Sequence, residues 1–163
     1  MKRASNHLIP PLINNASKIL ILGSFPSVKS MEKGFYYMHS QNRFYQVLDA
    51  IFDENMYQGS IELKKETLLQ LRIALYDSIE SCSLSGSSDA SIKDVVPAAI
   101  KELIKDSSIK HIFLNGKKSY DIFIKYHSEL KDIATYLPST SAANARYSLK
   151  MLVDEWKVIK DYL

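Results

Sequence analysis

The sequence is poor in cysteine, since Cys82 is the single cysteine among 163 residues. One thiol cannot form an intramolecular disulfide, and it is too few for an iron–sulfur cluster or a cysteine-based structural zinc site. The sequence therefore favours a reduced, cytoplasmic setting, with Cys82 as a small buried hydrophobic residue. We expect no metal and no other cofactor.

Long apolar runs are also lacking. No segment reaches the length of about 18 residues that spans a bilayer, and the first residues, MKRASNHLIPPL, contain no apolar core of a signal peptide. We therefore expect neither secretion nor insertion into a membrane.

The sequence has little excess charge of either sign. Lys and Arg number 21 against 18 Asp and Glu, which gives a net charge of +3. Such a charge permits a polyanionic partner and does not require one. Five glycines and five prolines exclude a low-complexity or collagen-like chain. The length predicts one domain over residues 1–163, because domains typically hold about 100–200 residues.

Four segments predict buried strands, because apolar and β-branched residues run together and turn residues close them. These are residues 18–24, 72–79, 110–116 and 133–139. Helical spacing of apolar residues predicts three helices, on Phe44, Val47, Leu48 and Ile51, on Val96, Ala99, Ile100, Leu103 and Ile104, and on Leu149, Leu152, Val153, Trp156 and Ile159. Asp94 is the predicted N-cap of the second helix, with Pro97 in its first turn.

The alternation of strands and helices predicts an α/β fold, a three-layer α/β/α sandwich around a central, mostly parallel four-stranded sheet. In such sheets, ligands bind beyond the carboxyl ends of the strands. The segments that follow the four strands are all rich in Ser, Asn and Gly. They predict a shared polar cleft, although turn residues of this kind also occur in ordinary loops.

The loop after the first strand carries the aromatic run Phe35, Tyr36 and Tyr37. Rings in a polar loop stack on planar ligands, a contact worth about 1–3 kcal/mol per nucleic-acid base, or they close the edge of the core. Asn42 follows in this loop, directly before a predicted helix. Asparagine is a favoured N-cap, and Ser40 is an alternative cap. By itself the pattern leaves the role of Asn42 open.

Several motifs follow one another from about Leu20 to the C-terminus: LGSFPS, GFYYMHSQNRFY, GSSDASI, the NG pair at Asn115, and LPSTSAANARYSL. Together they resemble the uracil-DNA glycosylase superfamily, most closely its hypoxanthine-DNA glycosylase branch. The resemblance implies a four-stranded parallel sheet between helices. It also implies a monofunctional enzyme that flips a deaminated base, hypoxanthine by preference, out of double-stranded DNA and hydrolyses its N-glycosidic bond.

The resemblance implies that Asn42 is the catalytic residue. The first motif of the superfamily reads Gly, any residue, Asn or Asp, and Pro, and its third residue positions the attacking water. Phe25 occupies that position here, and an apolar ring holds no water. In the hypoxanthine branch, which also lacks this residue, the asparagine of a QNRF motif takes over, and that asparagine corresponds to Asn42.

An amide is chemically suited to this reaction. The sugar is already strongly electrophilic in an oxocarbenium-like transition state. A neutral amide is no general base, but it orients a water through hydrogen bonds. Departure of the base needs donors aimed at its growing negative charge. The backbone amides of Ser24 and Phe25 and the hydroxyls of the serine-rich loops are the candidate donors.

Further contacts are implied by the same resemblance. The predicted base-binding residues are Ser24, Phe25, Tyr37 and Asn115. The last motif, residues 137–146, corresponds to a loop that wedges into the minor groove. The predicted DNA-binding residues are Ser27, Ser139, Thr140, Ser141 and Arg146. Turn chemistry also explains Asn115, and one of Ser139, Thr140 and Ser141, or Asn144, is an alternative N-cap of the following helix.

The sequence departs from the pattern of the branch at Ser40, Tyr45, Ser88, Ala90 and Ala142. The changes at Ser40 and Tyr45 are expected to alter packing, and Ala142 is expected to soften the wedge loop. The changes beside Asp89 bear on the preferred base. Arg43 is predicted to contact a phosphate or an acidic neighbour such as Asp89.

Three other functions remain open at this point. One is a glycosylase that prefers uracil or several deaminated bases. Another is a reader of DNA damage without chemistry, suggested by Phe25. The third is a nucleotide-binding regulator, because a fold does not specify a function. We expect a monomer in every case.

Overall fold

The computed structural model describes residues 2–85 and 92–163. The GSSDASI motif with Ser88, Asp89 and Ala90 falls largely outside these residues. The predictions made for that motif are therefore not addressed by the structure.

A parallel sheet of four strands lies at the centre of the molecule. In spatial order its strands are β3 (Ile73–Asp77), β2 (Ile19–Gly23), β6 (His111–Asn115) and β7 (Ala134–Leu137). Each lies inside one of the four predicted segments, because runs of buried apolar residues mark strands covered on both faces. In the register of β2 and β3, Gly23 lies opposite Asp77. The carboxyl ends of all four strands therefore lie at one edge.

Helices flank this sheet. They are α1 (Val28–Lys33), α2 (Phe44–Phe52), α3 (Ile61–Gln70), α4 (Ile100–Ile104), α5 (Lys117–Tyr126) and α6 (Leu149–Trp156), with 3-10 helices at Ser128–Ile133 and Lys157–Tyr162. None of the described helices is long and apolar enough to cross a membrane.

The core lies on both faces of the central sheet. Successive side chains of a strand point to opposite faces, so Ile21 packs in a cluster with Phe44 and Trp156. Its neighbour Leu22 packs on the other face in a cluster with Phe123. This arrangement confirms the predicted three-layer α/β/α sandwich.

A second sheet was not predicted. It is antiparallel, in the order β1 (Lys2–Asn6), β4 (Ile79–Ser85) and β5 (Lys93–Pro97). The predicted strand over residues 72–79 ends at Asp77, and β4 starts two residues later in this second sheet. The apolar residues on the two sides of Asp77 lie close together in the sequence. The pattern therefore did not show that they belong to two strands in different sheets.

The predicted helix around Val96 is wrong at its N-terminal end. Residues Lys93–Pro97 form β5, and α4 begins only at Ile100. Asp94 is not an N-cap, since it lies within this strand with a φ of 53°. Val95 packs instead on the cluster of Ile79 and Cys82. Tertiary pairing with β4 has overridden the helical spacing. Cys82 is buried, as predicted.

Candidate active site

An open cleft of about 830 Å³ lies at the carboxyl edge of the central sheet. Ligand sites commonly have volumes of about 300–1,000 Å³. Ser24 follows β2, Asp77 ends β3, Asn115 ends β6 and Thr140 follows β7, and all four line the cleft. The structure thus brings the polar loops after the four strands to one place.

Most of the predicted site residues line this cleft. They are Ser24, Phe25, Ser27, Tyr37, Asn42, Asn115, Ser139, Thr140 and Ser141. Arg146 is exposed in the turn before α6 and is not part of the cleft lining. The placement brings the predicted residues together, while the role of each remains a prediction.

Asn42 is half-buried in the cleft wall. Its Oδ1 accepts a hydrogen bond of 2.9 Å from the backbone N–H of Phe44 and another of 2.9 Å from the Thr140 hydroxyl. A backbone N–H only donates, so the oxygen of the amide faces the start of α2 and Nδ2 is the other end. Neither Asn42 nor Ser40 is the N-cap of α2, because Arg43 holds that position without a side-chain cap. Asn42, one residue earlier, binds the first N–H of the helix and also borders the cleft.

Thr140 connects Asn42 to Asn115. The Asn115 Nδ2 donates to Thr140 Oγ1 over 3.0 Å, and the Thr140 backbone N–H donates to Asn115 Oδ1 over 3.0 Å. The Thr140 hydroxyl accepts from one asparagine and donates to the other, so its proton has a fixed direction. We call Asn42, Thr140 and Asn115 the amide network. It joins the loops after β2, β6 and β7.

Arg43 fixes the last loop against α2. Its guanidinium donates to the carbonyl of Tyr147, to that of Ser141 over 3.0 Å and to that of Asn144 over 3.1 Å. Its backbone N–H donates to the Thr140 carbonyl over 3.0 Å. Within the described residues, Arg43 binds carbonyls. A contact with Asp89 lies outside these residues, and a contact with a phosphate stays a prediction. The residue after Asn42 thus positions Thr140.

The last motif does not cap the helix that follows it. Ser148 is the N-cap of α6, since its hydroxyl accepts a 3.2 Å hydrogen bond from the backbone N–H of Met151. The alternative that a residue of the motif or Asn144 is this cap is wrong, because α6 begins only at Leu149. Thr140 is 0% exposed. Its hydroxyl is committed to the amide network and does not reach the surface.

The aromatic run divides between core and cleft. Phe35 and Tyr36 are each 2% exposed. Phe35 lies in the core, whereas Tyr36 and Tyr37 both border the cleft, and the Tyr37 ring stacks on Phe44 at a centroid distance of 4.1 Å. Tyr37 has a φ of 58°, a left-handed conformation that is rare for a bulky residue. Strain of this kind is typical of functional sites.

The Tyr37 hydroxyl is buried, and among the described residues it has no hydrogen-bond partner. Burial raises the pKa of Tyr37, and the negative charge of Asp77 raises it further. The Asn115 amide lies close enough to lower this pKa slightly, although outside hydrogen-bonding geometry. Tyr37 is therefore a neutral phenol at neutral pH.

Asp77 borders the same cleft and forms a buried pair with His7. His7 Nε2 and Asp77 Oδ2 are joined by a hydrogen bond of 2.8 Å, and the two side chains are 0% and 5% exposed. A Cβ on Gly23 would lie 2.4 Å from Asp77 Oδ1 and 3.4 Å from the Tyr37 hydroxyl. Only glycine permits this close approach. We call Asp77, Tyr37 and His7 the acidic floor.

Two members of the acidic floor, Asp77 and His7, were not predicted from the sequence. The signal for Asp77 was a charged residue at the carboxyl end of an apolar run, a place where ligands bind. His7 had no signal, because it lies 70 residues from Asp77 in the chain. Its ring meets the edge of Phe25 at a centroid distance of 6.0 Å.

Phe25 packs beside Ile79, Cys82 and Ile122 at the rim of the cleft. It thereby joins the cleft to the second sheet. Among the described residues, no group of three or more His, Cys, Asp or Glu side chains is placed to hold a metal ion. The polar groups of the described cleft residues can form hydrogen bonds to a ligand or a water and orient it.

Known proteins resemble this chain along almost its whole length. The model of the uracil DNA glycosylase superfamily matches residues 10–162. A hypoxanthine DNA glycosylase of Methanosarcina acetivorans is 32% identical over 156 residues, covering 92% of this chain and 94% of that protein. Another, from Methanosarcina barkeri, is 32% identical over 154 residues, covering 90% and 92%. The solution NMR structure of a candidate uracil DNA glycosylase from Methanosarcina acetivorans has a TM-score of 0.80 and 31% identity, covering 98% of this chain and 96% of that one. As its motifs predicted, the chain belongs to the uracil DNA glycosylase superfamily.

Proposed function

We propose that the protein is a DNA glycosylase that flips a deaminated base, hypoxanthine by preference, out of duplex DNA and hydrolyses its N-glycosidic bond to leave an abasic site. The observation that carries this proposal is the position of Asn42 in the cleft wall, where Thr140 holds its amide. The superfamily membership and the names of the two Methanosarcina relatives support it.

In this proposal, Asn42 orients the attacking water through Nδ2. Both lone pairs of its Oδ1 are engaged, one by Phe44 and one by Thr140, so the amide nitrogen is the end left to bind. A donor holds the water oxygen by one lone pair and leaves the other for the sugar. The amide accepts no proton, and an oxocarbenium-like sugar does not require a strong base.

Departure of the base is assisted by donors at the end of β2. The backbone amides of Ser24 and Phe25 border the cleft there, and fixed donors lower the energy of a charge that develops in the transition state. Phe25 contributes its backbone and the edge of its ring. Tyr37 adds a hydroxyl that stays protonated, because its pKa is raised by burial.

We expect no lyase activity, because no lysine of the cleft is suited to form a Schiff base. Lys29 lines the cleft, but its ammonium is exposed and lies 3.5 Å from the Glu32 carboxylate. A catalytic lysine is instead desolvated or placed beside another cation, so that it loses its proton near neutral pH. Water is therefore the nucleophile.

The DNA backbone is contacted by Ser27, Ser139, Ser141 and Arg146 in this proposal. The first three line the cleft and Arg146 is exposed beside it. Thr140 leaves the predicted DNA-binding set, because it is fully buried. The loop over residues 137–146 fills the space left by the flipped nucleotide. Flipping costs a few kcal/mol and least at a mismatch, which favours weakly paired deaminated bases.

The test is a set of duplexes that carry hypoxanthine, uracil, xanthine or a mismatched thymine, incubated with excess protein and then cleaved with alkali at abasic sites. We expect hypoxanthine to be released fastest. Fastest release of uracil would reassign the substrate. Binding to the hypoxanthine duplex without release of any base would identify a reader of damage instead of an enzyme.

We also propose that the protein acts as a monomer of one domain in the cytoplasm, on chromosomal DNA. Light scattering with and without a hypoxanthine duplex should give the mass of one chain per duplex.

A further inference from the structure

We propose that the acidic floor reads the flipped base, with Asp77 Oδ1 accepting the ring N–H that deamination creates and the Tyr37 hydroxyl donating to the adjacent carbonyl. This inference rests on the proposed glycosylase function and names the contacts that select its substrate. It assigns a role to Asp77, which neither the motifs nor the relatives point to.

The two groups face the same point. Asp77 Oδ1 and the Tyr37 hydroxyl lie 2.4 Å and 3.4 Å from the position that a Cβ on Gly23 would occupy. Gly23 ends β2, and all three residues line the cleft. The acceptor and the donor therefore lie together beside Gly23, in the wall of the cleft that the edge of a base would meet.

Asp77 presents one oxygen to the cleft. Its Oδ2 is bound to His7 over 2.8 Å, and no described residue donates a hydrogen bond to Oδ1. The carboxylate is held rigidly, since Asp77 is 3% exposed and the His7 side chain is completely buried. An ionised carboxylate only accepts hydrogen bonds, so it binds a base edge that carries N–H.

The Tyr37 hydroxyl supplies the matching donor. It is buried without a partner in the part of the chain that the structure describes, and such a group gains the most from a ligand that completes its hydrogen bond. Asn115 is a further donor at this wall, because its Nδ2 gives one N–H to Thr140 and carries a second. The left-handed backbone of Tyr37, with a φ of 58°, holds the ring on Phe44 and directs the hydroxyl to the floor.

This arrangement distinguishes deaminated bases by chemistry. Hydrolytic deamination turns the acceptor nitrogen and exocyclic amine of adenine or cytosine into a ring N–H beside a carbonyl. The Asp77 acceptor beside the Tyr37 donor matches the N–H and carbonyl of the deaminated base. The parent base presents the opposite pattern, an acceptor nitrogen beside an amine donor. Sites that hydrogen-bond a substrate group reject analogues that lack it, because buried polar groups are then left unpaired. Guanine carries the same N–H and carbonyl, so its rejection requires other contacts.

The experiment compares hypoxanthine with unsubstituted purine, which lacks both the N–H and the carbonyl, at one position of a duplex. Single-turnover release of each base is measured for the wild type and for Asp77→Asn, which keeps the volume of the side chain. Asp106→Asn, on an exposed loop, is the matched control. Thermal unfolding of each variant is recorded, and Asp77→Ala is added where it folds.

We expect Asp77→Asn to slow hypoxanthine release by about 10-fold, because a charge-assisted hydrogen bond is about twice as strong as a neutral one. Release of purine should stay within about 2-fold or increase, since an amide can donate to the purine nitrogen. Asp77→Ala should lose more than Asp77→Asn on hypoxanthine.

Two results overturn the inference. One is equal slowing of both bases by Asp77→Asn, which would indicate a general effect on structure. The other is a wild type that releases purine as fast as hypoxanthine. Undetectable release of purine by the wild type agrees with the inference, provided that Asp77→Asn slows hypoxanthine. No base release by the wild type from any duplex would instead refute the proposed function.

Discussion

The amide network and the acidic floor lie in the same cleft but treat their polar groups in opposite ways. In the network, Asn42 Oδ1, the Thr140 hydroxyl and both ends of the Asn115 amide are bonded to other protein groups. In the floor, the Tyr37 hydroxyl and His7 Nδ1 are buried without a partner. Groups that are bonded within the protein fix the geometry of the cleft, whereas groups without such partners are able to form hydrogen bonds with a ligand.

The difference assigns separate tasks to the two parts of the cleft: the amide network orients a water, and the acidic floor recognises the flipped base. A network of bonded amides fixes the position at which a water is held, because the hydrogen bonds fix the orientation of each amide group. A floor with unpartnered groups loses folding free energy, and a ligand that completes its bonds recovers it. We therefore expect substitutions in the network to lower both stability and activity, and substitutions in the floor to lower activity with less loss of stability.

Asn42→Ala should have the largest effect on the reaction. Loss of the group that orients water should slow hypoxanthine release by at least about 100-fold, as expected when a reactant is misplaced. Asn55→Ala, an exposed amide, is the control. Single-turnover assays check both, and wild-type rates for Asn42→Ala would remove the residue from the mechanism.

Asn42→Asp tests which end of the amide matters. The aspartate keeps an oxygen for the N–H of Phe44 and the hydroxyl of Thr140 and replaces Nδ2 by an acceptor. If Nδ2 holds the water, release should slow by about 10-fold or more. A faster variant would show that the reaction benefits from a base at this position.

Gly23→Ala should have the next largest effect and should disturb the floor directly. The new Cβ would lie 2.4 Å from Asp77 Oδ1. Overpacking costs about 1–3 kcal/mol, and we expect release of hypoxanthine to fall by about 10- to 100-fold. Gly34→Ala is the control, because its Cβ would meet nothing within 4 Å. That variant should lose stability through its left-handed backbone and keep its activity.

Thr140→Val should weaken the network. The valine keeps the shape and leaves Asn42 and Asn115 without their shared hydroxyl, which should cost about 1–3 kcal/mol of stability. We expect about 10-fold slower release, since Asn42 loses one of the two bonds that orient it. Thr140→Ser should restore most of both quantities. Denaturant unfolding and base release are measured on the same samples.

Tyr37→Phe should have the smallest effect on base release. It should also test most directly the difference between the amide network and the acidic floor. The phenylalanine removes a buried hydroxyl without a partner, so the free energy of unfolding should stay the same or rise by up to about 1 kcal/mol. Release of hypoxanthine should slow by about 3- to 10-fold through loss of one hydrogen bond. A clear loss of stability would show that the hydroxyl is bonded within the protein.

The sequence predicted the central sheet well and the second sheet not at all. The strands of the central sheet, such as Ile19–Gly23, are buried on both faces, and their apolar runs are visible locally. The strand at Lys93–Pro97 is partly exposed, and its residues also fit a helical spacing. The same sheet also needs β1, where Lys2 lies opposite Ser85 of β4. Pairing over such a sequence distance leaves little local signal.

The same division applies to the site. Motif resemblance located Asn42, Tyr37 and Asn115, which the structure places in one cleft. It did not locate Asp77 or His7, whose pairing depends on strands far apart in the chain. It also placed the Thr140 hydroxyl toward DNA, whereas the packing of the last loop buries it.

By itself, the sequence determined the superfamily, the positions of the four central strands and the loops that carry the cleft, because these depend on local patterns and on motifs in sequence order. Only the tertiary structure decided which polar groups are bonded and which are not. That outcome depends on distances of about 3 Å between loops 25 to 98 residues apart, as between Thr140 and its partners Asn115 and Asn42. No local pattern of residues encodes such distances, since they arise when the strands pack side by side.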